Sequence, residues 1–164
     1  MTNFLIGIGV PKLYAGDVAL FLMMILAGIV LIFIAKKTKL GAFSYAIYAA
    51  YFLTEVLYFD FVKGYLLKAM IFLGMAFGLH YLLFKPTVVV KLGGKSAVAK
   101  WLRRILVAFL IVGFVATIIL GWMPAKEVKD LLSPLGRKIF VTDFARLVWA
   151  VLPLFVLAVI RKKD

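Results

Sequence analysis

Apolar residues in this chain come in long runs separated by short polar stretches, and strand-like two-residue alternation is absent. A helix crosses the hydrocarbon core of a bilayer with about 20 mostly apolar residues, within a range of about 17–25. Five segments meet that length. Segment 18–35 carries no charge, and segment 42–59 is interrupted only by Glu55. Segment 66–84 has Lys68 near its start and His80 near its end, and segment 105–123 is closed by Pro124. Segment 144–160 has Arg146 in its first turn and Pro153 inside. The pattern predicts an all-α integral membrane protein, a single membrane domain over 1–164 built as a bundle of five transmembrane helices. A membrane barrel needs repeated alternating segments, which are missing.

Three segments outside these runs have their own character. Segment 85–104 is a basic loop with the β-branched run Thr87-Val88-Val89-Val90, a turn at Gly93-Gly94, and Ser96 placed to cap a helix leading into the fourth span. Its Gly94-Lys95-Ser96 lacks the glycine that a phosphate-binding loop needs five positions earlier, where Val89 stands. Segment 125–143 is too apolar for a solvated loop and is expected as a shallow interfacial or re-entrant piece on the outer side. Phe4 to Val10 is too short to span and is stopped by Pro11, which leaves either an interfacial segment or a frayed tail. No repeat of 20–50 residues is visible, and five spans do not divide into two halves, which argues against an inverted-repeat transporter.

Composition narrows the class further. With 66% hydrophobic and 16% charged residues, and a mean hydropathy of +1.12, the chain has too few polar groups for a water-facing surface or for a disordered state. The net charge of +13 is distributed in short runs between apolar stretches rather than over a folded polar face, so nucleic acid is not an expected partner. Positive residues favour the cytoplasmic side. Alternate connections place twelve of the 20 Lys and Arg on one side with Asp164, and eight on the other with the six remaining acids. The amino terminus is therefore expected outside and the carboxyl terminus in the cytoplasm, in a multi-pass protein of the cell (cytoplasmic or inner) membrane. Lys36 and Lys37 follow the first span, with only Lys12 before it, the reverse of a cleavable signal peptide. Lys36, Lys37, Lys100, Arg103 and Arg104 are expected to meet anionic lipid headgroups on the cytoplasmic side, at about 1 kcal/mol each.

The chemistry is sparse. With no Cys and one His, neither a transition-metal site nor a cofactor is expected, and no acid pair has a His or nucleophilic Ser beside it. The chain is therefore expected not to be an enzyme. The polar candidates lie on the second span, where Tyr48, Tyr51, Glu55 and Tyr58 share one helical face and Ala46, Ala49 and Ala50 lie opposite. Lys68 and Arg146 fall at the same level. An ionisable group in lipid is a functional candidate by default, and Glu55 suits either a structural ion pair or an ion or proton site. Gly74 and Gly78, and the row Gly113, Thr117 and Gly121, are small residues at four-residue spacing that let helices approach closely. These features point to a non-enzymatic subunit or scaffold that packs against itself or another membrane protein. The alternative is a small homo-oligomeric channel or transporter with Glu55 and its tyrosines lining the path.

Overall fold

A computed structural model describes residues 2–34, 40–56, 64–83 and 97–161. Among the described residues every regular element is a helix. In chain order these are α1 (Thr2–Gly7), α2 (Ala15–Ile34), α3 (Leu40–Val56), α4 (Tyr65–Leu83), α5 (Ala97–Trp122), α6 (Ala125–Leu131), α7 (Pro134–Phe140) and α8 (Asp143–Arg161). Three stretches are long and apolar enough to cross a membrane: Ala15–Phe33, Tyr65–Leu82 and Trp101–Trp122. A fourth is counted if α7 and α8, which meet at a 51° bend, form one broken span.

The expected five thus stand as three or four. Over its described 17 residues α3 rises only about 26 Å, short of a hydrocarbon core of about 30 Å. Helix α8, bent by 51° from α7, is counted as a span only together with it. Helix α5 starts at Ala97, eight residues before the predicted span, and runs 26 residues or about 39 Å. Its basic first turns thus extend past its apolar body.

Helix α5 is the hub, in contact with α2, α3, α4, α7 and α8. Its buried Val107, Ala108, Ile111, Phe114 and Ile118 join Ile47, Phe72 and Leu157 in the main core. Apolar contact between helices gains little where the alternative is lipid, so close backbone approach decides the packing. Gly28 of α2 faces the α5 backbone, where a β-carbon would lie 3.9 Å from the amide nitrogen of Phe109. Gly113 of α5 lies beneath the indole of Trp149, and a β-carbon there would overlap the ring.

Segment 125–143 folds as α6 and α7, and its Val128, Leu132 and Phe140 form a second core with Met24 and Leu120. Trp149 ties the bend between α7 and α8, stacking on Phe140 at 5.4 Å and donating from Nε1 to the Ile139 carbonyl at 3.0 Å. The short α1 places Leu5 against Ala15 and Ala19 of α2.

Candidate functional site

Helices α3, α5 and α8 enclose a cleft of about 410 Å³ near the C-terminal end of α5. Glu55 and Tyr51 enter it from α3, Thr117, Gly121 and Trp122 from α5, and Arg146 from α8. Tyr51 and Glu55 are four residues apart and share a helix face. The row Gly113, Thr117 and Gly121 presents small residues to α8 and makes the space.

Each polar group has a definite arrangement. Glu55 accepts a long hydrogen bond from Trp122 Nε1, 3.4 Å to Oε1. Arg146 forms its ion pair with Asp143, 3.6 Å away and three residues earlier, and its guanidinium lies flat over Gly121. The Thr117 hydroxyl donates to the Gly113 carbonyl at 2.9 Å and so is satisfied within its own helix. Tyr48 lies one turn deeper, stacked on Phe114 at 4.8 Å, with its hydroxyl donating to the Ala150 carbonyl at 2.5 Å. Phe114 and Ala150 line the cleft, so Tyr48 supports it from the bundle side.

Of the residues singled out from the sequence, Glu55, Tyr51 and Arg146 come together here and Tyr48 supports them. Lys68 is half-buried in the first turn of α4 and does not line the cleft. Tyr58, Lys36 and Lys37 lie outside the described residues, as does the side chain of Lys100. Arg103 and Arg104 are half-buried at the opposite end of α5. His80 packs edge-on against Phe43, at 5.3 Å between ring centroids, away from Glu55. The two glycine rows part company. Gly113 and Gly121 face α8, whereas Gly74 and Gly78 of α4 have no described atom of another element within 4 Å of a β-carbon position.

Two arrangements were not anticipated from the sequence. Asp17, buried in the first turn of α2, accepts from the Ser133 backbone N–H at 3.0 Å and from the Ser133 hydroxyl. That hydroxyl in turn accepts from the N–H groups of Leu135 and Gly136, each at 3.1 Å, and so caps α7. The Ser-Pro pair at 133–134, a good N-cap followed by proline at the first helical position, was a readable signal for the cap. Nothing local pointed to its partner 116 residues away. The second arrangement is a strongly cationic cavity beside the cleft, sharing Gly121 and Arg146 with it.

No protein-family model, curated protein or solved structure matches the chain.

Proposed function

We propose that this chain is a small, non-enzymatic, multi-pass subunit or scaffold of a membrane assembly. In this reading it has five spans, its amino terminus outside and its carboxyl terminus in the cytoplasm of the cell membrane. The observation that carries the proposal is the outward face of α4. Ala69, Phe72 and Ala76 of that helix are buried in the bundle, while Gly74 and Gly78 lie on the other side between exposed Met70, Phe77 and Tyr81. A GxxxG pair allows helix backbones to approach closely in lipid, and this one is not used within the described chain.

The test is the mass of the assembly extracted in mild detergent, wild type against Gly74→Leu/Gly78→Leu. Wild type should be recovered with a second copy or another membrane protein at fixed stoichiometry. The double variant should lose that association and keep its unfolding midpoint. A wild-type monomer would overturn the proposal. A conducting path through Glu55 is the weaker reading, because the cleft ends on Phe114 and Ala150 with Tyr48 bonded behind them. Ion flux in liposomes that falls on Glu55→Gln would reverse that order.

A further inference from the structure

A cavity of about 550 Å³ lies between the C-terminal end of α5, the short helices α6 and α7, and the first turns of α8. Its polar side chains include four cations, Lys129, Arg137, Lys138 and Arg146, and no carboxylate is among its described lining residues. The rest of its wall is largely apolar, with Leu120, Met123, Val128 and Val141. A second observation concerns the two arginines. The Nε atoms of Arg137 and Arg146 are both buried and make no hydrogen bond. A buried donor atom without an acceptor is unfavourable, the more so on a charged group. Both guanidinium groups line this cavity, each also bordering a neighbouring pocket, and their unbonded Nε atoms suit an acceptor with several oxygens.

The nearby described acids do not meet that need: Glu55, which shares the neighbouring cleft with Arg146, bonds Trp122 and makes no ion pair among the described residues. Asp143 is fully exposed and reaches Arg146 only at Nη1, 3.6 Å away. Asp17 is occupied by Ser133, and Glu127 faces Tyr65. Asp130 lines a neighbouring cavity with Lys12, Lys129 and Arg137.

We propose that this cavity binds a phosphate group, gripped by Arg137 and Arg146 with Lys129 and Lys138 completing the charge. Planar guanidinium forks match phosphate oxygens bidentately, and a low-dielectric wall strengthens each such bond. Gly121 is part of the design, since a β-carbon there would press on the Arg146 guanidinium at 3.1–3.2 Å. The phosphate belongs either to an anionic lipid, whose chains suit the apolar wall, or to free phosphate. The site lies at the opposite end of α5 from Arg103 and Arg104, so it is separate from the basic turns expected to meet headgroups there.

The experiment uses the full chain in a maltoside detergent, probed separately with phosphatidic acid in phosphatidylcholine vesicles and with inorganic phosphate. Bound phosphatidic acid is read by native mass spectrometry, and phosphate by the shift in unfolding temperature. Arg137→Gln and Arg146→Gln should each weaken binding about tenfold, the loss of one charge-assisted contact. Lys126→Gln, on the exposed face of α6, should leave it unchanged. Arg137→Lys should recover only part, because it restores charge without the fork. Loss of phosphatidic acid in the arginine variants identifies a lipid ligand, and the same pattern with phosphate alone identifies the free ion. Retention independent of both arginines, or no binding of either probe, overturns the proposal. If Arg146→Gln fails to fold, Arg137→Gln and Lys138→Gln decide the matter.

Discussion

Asp17 shows how a single side chain can hold distant parts of a membrane chain together. Its carboxylate accepts two hydrogen bonds from Ser133, and Ser133 caps α7, so one acid joins the start of α2 to the start of a helix 116 residues later. A negative group is also favoured at a helix N-terminus, where unpaired N–H groups leave a partial positive charge. Glycines on both elements permit the approach. A β-carbon at Gly136 would collide with the Asp17 carboxylate, and one at Gly16 with the Leu131 carbonyl. Asp17→Ala leaves the buried Ser133 N–H without its acceptor and should cost about 1–3 kcal/mol of stability. Asp17→Asn retains an acceptor oxygen and should cost less. Thermal unfolding of both variants in detergent checks the order, and equal stability of all three proteins would remove Asp17 from this role.

Helix α5 and helix α4 use the same small-residue pattern for opposite ends. In α5, Gly113 gives Trp149 its seat, and Trp149 in turn holds the elbow between α7 and α8 through the Ile139 carbonyl and the Phe140 ring. In α4 the equivalent glycines face away from the bundle. Gly113→Leu must push the indole aside and should destabilise the fold by about 1–3 kcal/mol, the usual range for overpacking. The same substitution at Gly74 should leave the isolated chain as stable as wild type. Chemical unfolding in detergent, run on the two variants side by side, distinguishes an inward glycine from an outward one. A Gly113→Leu protein as stable as wild type would mean that α8 does not sit against α5 as described.

At the scale of the molecule, three polar sites among the described residues gather at one end of the bundle. The Glu55 cleft, the cationic cavity and the Asp17–Ser133 junction all lie around the C-terminal end of α5 and the short helices α6 and α7. Arg103 and Arg104 occupy the other end of α5. Under the proposed orientation the first group faces outward and the second faces the cytoplasm. A cysteine placed between Lys91 and Lys95, in a chain that has no other, should resist an impermeant thiol reagent added to intact cells. Rapid labelling there would invert the orientation, and with it the side from which the phosphate cavity opens.

The helical class and the membrane setting follow from the linear pattern, because a run of about 20 apolar residues has few other ways to satisfy its backbone. The polar face of α3 was legible for a similar reason: 100° per residue places Tyr48, Tyr51 and Glu55 together before any packing is known. Which neighbour that face meets was decided only by tertiary structure, since α8 brings Arg146 to the cleft from more than 90 residues away in the chain. The sequence also left the two glycine rows equivalent, and only packing made one internal and the other outward. The same holds for Asp17 and for the cations of α6, α7 and α8. Spacing within a helix fixes direction locally, but convergence between helices depends on how their backbones cross.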